Sequence, residues 1–322
     1  MPITPSPLVS VVIPCYNATQ YIAETLNSLR AQKFRDFEVI LVNDGCPDTE
    51  NLERALEPYR DEIVYIKSGK WASISSSRNT GINASQARYV AFLDSDDAWE
   101  PDYLSVLVGI LEANPSIDLV YPNATYFGDT AWTGATFMEK YPIEGEVTIE
   151  KLVRRECVIF ISVTARRESL IRAGLFDPLI RGGEDWDVWV RVVRTGGKIA
   201  YDRRPLARYR LREGSMSADK LDLLRNGLAV CQKYLNMSDL TAEERGWWET
   251  CAQTYRANTD LVRGKQALYG KRREEAIELL TRANDVLKNP RVRAAILALR
   301  LAPALVYSYI HRRYPTEYAY LH

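Results

Sequence analysis

The chain has 322 residues, of which 46% are hydrophobic and 26% are charged, and its formal net charge is +0. This length is enough for one large domain and a smaller one. The balanced charge argues against a dedicated nucleic-acid-binding protein, which would carry a basic excess. The five cysteines are scattered without metal-site spacing, which predicts reduced, mostly buried thiols in a reducing compartment.

The chain start, residues 1–7, has three prolines and no basic-then-apolar layout, so we expect no signal peptide. No window of about 18 uninterrupted apolar residues occurs, so no clear membrane span is predicted. These features favour a cytoplasmic location. Peripheral contact with the inner face of the cell membrane is a further expectation for residues 291–314.

Strands and helices alternate four times in the first hundred residues. Apolar runs predict buried strands at 8–13, 37–42, 63–66 and 89–93. Pro14 is expected to end the first strand, and Thr19 to cap the helix that follows. The alternation predicts an α/β fold with a mostly parallel sheet. No Gly-x-Gly-x-x-Gly turn follows the first strand, which argues against a dinucleotide-dependent oxidoreductase.

Further strands are predicted at 117–121, 157–164, 198–201 and 206–210. The stretch 123–145 is aromatic-rich and is predicted to be an irregular loop, a feature that is often functional. A helix is predicted to begin at Glu184-Asp185, after Gly182-Gly183, because apolar residues follow at helical spacing.

The character of the chain changes from about Lys220, where helix follows helix. Residues 266–283 resemble a single tetratricopeptide-type hairpin. Residues 291–314 mix long apolar stretches with five arginines and have a kink expected near Pro303. This segment fits either a helix lying in a membrane interface or a helix buried against the rest of the protein.

An acidic cluster follows the strand predicted at 89–93. Asp94, Asp96 and Asp97 lie within four residues, at the strand end where open α/β sheets bind ligands. Three adjacent carboxylates repel one another, and a cation or strong donors are needed to keep them ionised. A divalent metal that carries a phosphate is the expected partner.

Five motifs occur in order, and together they resemble the family 2 glycosyltransferases: 9–17, 43–45, 78–81, 94–97 and 184–187. The resemblance covers roughly residues 8–217. It implies a GT-A, Rossmann-like fold with a mostly parallel central sheet flanked by helices, and the helical pattern after about Lys220 adds a C-terminal all-helical extension. It also implies a nucleotide-sugar donor, a divalent metal (Mn²⁺ or Mg²⁺) and inversion at the anomeric carbon. We expect a catalytic domain at 1–217 and a helical region at 218–322.

The same resemblance implies which residues bind the donor: Pro14, Tyr16, Asn17, Asp44, Arg78, Asp94 and Ser95. Arg212, which departs from the family pattern, is a further candidate donor contact. Asp96 would bind the metal that offsets the charge of the leaving diphosphate. A carboxylate at Asp44 that accepts from a ring N–H would favour uracil or thymine, so a UDP-sugar is the expected donor. Asp44 in Asn-Asp-Gly also fits a plain turn residue.

Asp185 matches the catalytic base of the family. An inverting displacement needs one carboxylate to take the proton of the attacking hydroxyl. The first turn of a helix would favour the ionised form of this base. Glu184 and Trp186 are predicted acceptor contacts, whereas Trp189 is expected in the core. Ordinary helix-start acids are the alternative reading of Glu184 and Asp185.

Arg212 departs from the family pattern within the segment 209–217, because many members have a histidine there that helps bind metal. Arginine cannot ligate a metal, but it can grip a diphosphate. The chain's two histidines, His311 and His322, lie far away in the tail. The third protein ligand of a metal is therefore left open.

The sequence predicts transfer of a sugar to a hydroxyl of a glycan or lipid-linked acceptor in cell-surface polysaccharide synthesis. A sugar-nucleotidyltransferase is one alternative, although those enzymes usually have a glycine-rich loop after the first strand. A non-catalytic nucleotide-sugar-binding or scaffold protein is the other. The sequence leaves the sugar, the linkage and the oligomeric state open.

Overall fold

The computed structural model describes residues 6–69, 73–128, 132–212, 219–314 and 316. The chain divides into two compact units, Met1–Glu213 and Gly214–His322. The first unit is a mixed α/β structure around one sheet, and the described part of the second is helical. The predicted α/β fold with a C-terminal helical region is confirmed.

The sheet has eight strands in the order β3-β2-β1-β4-β7-β6-β8-β5. Their bounds are β1 Val9–Cys15, β2 Phe37–Asn43, β3 Ile63–Lys67, β4 Tyr89–Phe92, β5 Ala98–Trp99, β6 Leu119–Phe127, β7 Thr164–Arg166 and β8 Ile199–Arg210. The four strands β1 to β4 are mutually parallel, as alternation with helices predicts. Antiparallel pairing begins at β7, and β6 and β8 are again parallel to each other.

The helices of the first unit are α1 Ile22–Arg30, α2 Thr49–Leu56, α3 Ile74–Ala84, α4 Tyr103–Ala113, α5 Phe137–Lys140, α6 Ile149–Val153, α7 Arg167–Arg172 and α8 Glu184–Arg194. Those of the second unit are α9 Lys220–Leu235, α10 Ala242–Tyr269, α11 Arg273–Leu287, α12 Pro290–Leu301 and α13 Pro303–Arg313. A 3₁₀ helix, Glu57–Glu62, joins α2 to β3.

Strand β1 forms the centre of the core, and all seven of its residues are buried. The prediction that Pro14 ends this strand is wrong, because Pro14 pairs with Val42 and the strand continues to Cys15. The register with β4 ends at Val12, so the amide that Pro14 lacks is not needed on that side. The predicted Thr19 cap is also wrong: α1 begins after Tyr21 without a side-chain cap.

Two strands, β6 and β8, are longer than predicted. β6 runs into the stretch predicted to be irregular, as far as Phe127, and β8 joins the two strands predicted at 198–201 and 206–210. The register between β6 and β8 shifts on both sides of Asn123, and these bulges absorb the extra residues around Pro205. The strand predicted at 157–164 is mostly absent, because the observed strand β7 begins only at Thr164 and ends at Arg166.

Helices α10 and α11 of the second unit pack closely as an antiparallel hairpin. Gly264 allows this approach, because a Cβ there would lie 2.9 Å from Leu280 Cδ2. Residues of α12 and α13, including Leu299 and Ile310, complete the same apolar cluster. Within the described ranges, no helix combines the length and the hydrophobicity that a membrane crossing would need.

Candidate active site

The loops after β1, β2 and β4 begin at the same edge of the sheet, because these strands are parallel and in register. Tyr16 and Asn17 follow β1, and Asn17 has a left-handed backbone (φ 51°). The amide of Asn17 donates to Cys46 Sγ at 3.3 Å, and the amide of Asp44 donates to Cys15 O at 3.1 Å. Asp44 is buried, whereas Tyr16 is exposed. The predicted nucleotide residues Pro14, Tyr16, Asn17 and Asp44 are thus neighbours.

The acidic cluster after β4 is a tight turn, in which the amide of Asp97 donates to Asp94 O at 3.0 Å. The hydroxyl of Thr25 on α1 donates to the carbonyl oxygens of Ser95 (3.0 Å) and Asp97 (2.7 Å). The buried Asp97 carboxylate accepts from the backbone N–H of Arg210 at 2.7 Å. Asp97 therefore fastens the turn to β8, while Asp94 and Asp96 are directed elsewhere.

Arg78 lies inside α3, which begins at Ile74, and its side chain is only 1% exposed. Its Nη2 donates to Asp94 Oδ1 at 2.8 Å, and its Nη1 donates to Glu184 Oε1 at 2.6 Å. One guanidinium therefore joins the acidic turn to the start of α8.

Arg212 holds the other acid of the turn. Its Nε donates to Asp96 Oδ2 at 2.8 Å. Burial, and next the charge of Asp94, raise the pKa of Asp96, while the hydrogen bond from Arg212 acts in the opposite direction. The Arg212 guanidinium lies 5.2 Å from the ring centre of Tyr21. The rest of the motif, residues 213–217, lies outside the described part of the chain.

Asp185 lies in the first turn of α8, after Gly183 in a left-handed conformation (φ 77°). Its Oδ1 accepts from the backbone N–H of Trp186 at 2.7 Å. Burial, and next the charge of Glu184, raise the pKa of Asp185 to about 6. The helix start was expected to favour ionisation, but loss of hydration and a like charge outweigh that effect here.

Glu184 and Trp186 are both buried. The Glu184 carboxylate pairs with Arg78, and Trp186 Nε1 donates to Leu152 O at 2.9 Å. These positions do not favour the predicted contact with an acceptor, because a buried side chain must first become exposed to touch a glycan. Trp189 is fully buried, as expected for a core residue.

The acidic turn could bind a divalent cation only if a phosphate-bearing ligand supplied further oxygen atoms. Asp94 and Asp96 each commit one oxygen to an arginine, and burial, followed by the charge of Asp94, raises the pKa of Asp96. Among the residues described, no group of three or more His, Cys, Asp or Glu side chains could hold a metal ion. A hard cation would therefore need phosphate oxygens and water beside these carboxylates.

Three positioning residues escaped the sequence analysis. Asn79 accepts from the Phe176 amide (2.9 Å) and donates to the Phe176 carbonyl (2.7 Å), which ties α3 to the loop before α8. Gly81 lets α3 approach β1, since a Cβ there would lie 2.3 Å from Val12 Cγ1. Arg210 donates its Nε to Asp96 O at 2.7 Å. Asn79 and Gly81 lie in the motif 78–81, which is the sequence feature that could have indicated them.

Comparison with known proteins identifies the family of the chain. The sequence model described as Glycosyl transferase family 2 matches residues 10–171, half of the chain. The chain therefore belongs to glycosyl transferase family 2. The matched range contains most of β1, together with β2, α3 and the acidic turn.

Individual relatives are distant. The chain is 28% identical over 221 residues to the glycosyltransferase GlyA of Streptococcus pneumoniae. This match covers 65% of this chain and 31% of that protein. It is 29% identical to TuaG of Bacillus subtilis, a glycosyltransferase assigned to teichuronic acid biosynthesis, over 66% of this chain and 83% of that one. It is also 29% identical to the amylovoran biosynthesis glycosyltransferase AmsB of Erwinia amylovora, over 63% and 69%.

Solved structures share the fold. S. aureus TarS 1–349 in complex with UDP-GlcNAc matches with a TM-score of 0.62 and 18% identity, over 95% of this chain and 91% of that chain. The mannosyltransferase PcManGT from Pyrobaculum calidifontis, in complex with GDP-Man and Mn²⁺, matches with a TM-score of 0.63 and 19% identity, over 99% and 86%. These likenesses place the chain among GT-A glycosyltransferase folds.

Proposed function

We propose that this chain is an inverting glycosyltransferase. It moves a sugar from a nucleotide-diphosphate sugar, with UDP as the favoured nucleotide, to a hydroxyl of a glycan or lipid-linked acceptor. The observation that carries the proposal is the pair of ion pairs made by Arg78, at 2.8 Å to Asp94 and 2.6 Å to Glu184. Through these ion pairs, one buried guanidinium contacts both the acidic turn that would bind the diphosphate and the start of α8, where Asp185 lies.

Asp185 is the general base of this proposal. In an inverting displacement, the acceptor hydroxyl attacks the anomeric carbon opposite the departing diphosphate. Its proton passes to the Asp185 carboxylate as the new glycosidic bond forms and the bond to the diphosphate breaks. A carboxylate with a pKa near 6 is largely ionised at neutral pH yet more basic than an exposed aspartate.

The donor side uses the loops after β1, β2 and β4. Tyr16, Asn17 and Asp44 bind the base, and Ser95 lies in the turn that faces the ribose and diphosphate. Asp96, with Asp94 beside it, would hold a Mn²⁺ or Mg²⁺ ion, which supplies positive charge to the diphosphate when bound. Arg212 holds the Asp96 carboxylate and can bind phosphate oxygens through its remaining donors.

The biological setting follows the relatives assigned to teichuronic acid and amylovoran biosynthesis. We propose a role in cell-surface polysaccharide synthesis, at the cytoplasmic face of the cell membrane. All five cysteines are buried, which fits thiols in a reducing compartment.

Release of UDP tests this proposal against a protein that only binds nucleotide sugars. The purified chain is incubated with single UDP-sugars and Mn²⁺, and free UDP is measured over time. An enzyme of this class is expected to release UDP slowly to water, and faster with its acceptor. Binding of a UDP-sugar without any release of UDP would favour the non-catalytic alternative.

A further inference from the structure

The last two helices, α12 and α13, have one face in the core and one in solvent. Ile296, Leu299 and Ile310 are buried in the apolar cluster of the second unit, and Val292 and Val306 pack against that cluster. The inward positions recur at helical spacing, as expected for an amphipathic helix pair. The fold of this unit therefore does not need the residues on the opposite face.

The opposite face has a row of large apolar side chains, which we call the outer stripe. It consists of Leu297, Leu301, Leu305 and Tyr309, which are 57%, 76%, 73% and 65% exposed. Leu297 and Leu301 are four residues apart on α12, and Leu305 and Tyr309 are four residues apart on α13, so each pair lies along one side of its own helix. A single exposed leucine is ordinary, but two such apolar pairs on successive helices favour an interaction surface.

The charged side chains of the segment that carries the outer stripe have one sign. Residues 290–314 contain five arginines and no aspartate or glutamate, although the whole chain is formally neutral. All five arginines are exposed, and the described ranges contain no ion pair that involves them: Arg291, Arg293, Arg300, Arg312 and Arg313. The segment therefore combines an apolar row with uncompensated positive charge.

We propose that the outer stripe and these five arginines form a docking surface for a membrane with anionic lipid headgroups. With 12 and 11 residues, α12 and α13 are too short to cross a bilayer, but they suit the interface plane. The apolar side chains enter the boundary between headgroups and acyl chains. The arginine stems extend alongside them and place their guanidinium groups among lipid phosphates.

A second copy of this chain fits the surface less well. A two-fold contact would bring the same patch against itself. The five arginines of each copy would then face those of the other without an acidic partner from residues 290–314. A negatively charged bilayer satisfies both the apolar row and the charge at once.

Sedimentation with lipid vesicles tests this proposal on the full-length protein. Vesicles of phosphatidylcholine alone are compared with vesicles that contain about 30% phosphatidylglycerol, at low salt and at about 0.5 M NaCl, where charge attraction is screened. We expect binding to the anionic vesicles that is about tenfold weaker in high salt. Absence of binding, or equal binding to both vesicle types, would overturn the proposal.

Two double variants assign the binding to this surface. Leu301→Gln/Leu305→Gln is expected to reduce vesicle binding about tenfold or more, because it removes half of the outer stripe. Leu179→Gln/Leu223→Gln removes two exposed leucines elsewhere and is expected to bind like the wild type. Thermal unfolding confirms that each variant is folded, and analytical ultracentrifugation measures self-association. A dimer that dissociates only in the first variant would reassign the surface to contact between copies. Vesicle binding involves no sugar transfer, so its failure would leave the proposed activity untouched.

Discussion

Arg78 and Glu184 form an ion pair at 2.6 Å although they are 106 positions apart in the chain. The same guanidinium also binds Asp94 at 2.8 Å. The pairing therefore couples the turn proposed to hold the diphosphate to the helix that carries the proposed base. A buried arginine with two carboxylate partners is costly to disturb, since loss of the cation leaves two charges uncompensated.

Replacement of Arg78 by lysine tests this coupling. Lysine keeps the positive charge but cannot bridge both carboxylates with the same fork, so Arg78→Lys leaves one buried carboxylate without its hydrogen bond and we expect a loss of about 1–3 kcal/mol of stability. The displaced start of α8 should also reduce the rate of transfer about 100-fold. Urea unfolding and steady-state kinetics measure the two effects. Arg88→Lys, on the exposed Arg88 paired with Glu112, is the matched control and should change neither by much.

The pKa of Asp185 predicts how activity depends on pH. The base works only when ionised, so kcat/KM should fall tenfold per pH unit below about pH 6 and level off above it. A rate profile between pH 4.5 and 8.5 with a saturating metal concentration measures this limb. A profile that stays flat down to about pH 4.5 would contradict the raised pKa, since an ordinary aspartate would remain ionised there.

The same shift affects stability with a definite sign. The folded-state pKa of Asp185 is above the usual 3.8, so its protonated form favours the folded state. That contribution is complete below about pH 4 and is lost as the pH rises through about 6. Asp185→Asn should therefore be more stable than the wild type at pH 7.5, by about 1–3 kcal/mol, and about equal at pH 4. Thermal unfolding at the two pH values measures the difference.

Asp96→Ala tests the metal proposal through binding rather than turnover. We expect that Mn²⁺ strengthens UDP-sugar binding to the wild type in calorimetry and no longer does so in the variant. Asp102→Ala, which removes an exposed acid paired with Lys33, is the control and should keep the effect of the metal. Equal donor affinity of the wild type with and without Mn²⁺ would remove the metal from the account.

Gly81→Ala tests the close approach of α3 to β1. A Cβ at this position would lie 2.3 Å from Val12 Cγ1, so the helix must shift. We expect a loss of about 1–3 kcal/mol in chemical unfolding, together with weaker activity, because Arg78 moves with α3. Gly109→Ala, in the middle of α4 with open space around it, should be neutral or stabilising by about 0.5–1 kcal/mol.

Much of the fold was readable from local patterns. β1, β2 and β4 are short apolar runs, and α8 follows a helical repeat of apolar residues after two glycines. The strand predictions were wrong where pairing between strands distant in the sequence determines the structure. β8 runs through Pro205 because β6 shifts its register beside it, and only three residues near 157–166 find a strand partner in β4 and β6.

The sequence predicted the residue types of the site, but it did not predict which of these residues contact one another. The order of the motifs indicated Asp94, Asp96 and Asp185, but nothing local indicated that Arg78 would reach both Asp94 and Glu184. The pKa of Asp185 was also expected in the opposite direction, because the helix start is visible in the sequence whereas burial is not. The roles of these residues in catalysis stay predictions.

The catalytic role of Asp185 is tested by comparing sugar transfer and donor binding in Asp185→Asn. We predict that kcat falls by about 10²–10⁴-fold, because the variant cannot accept the proton of the acceptor hydroxyl. Calorimetry with the same UDP-sugar and Mn²⁺ should give a Kd close to that of the wild type, since Asp185 does not hold the donor. Near-normal turnover in Asp185→Asn would contradict the account and remove Asp185 from the mechanism.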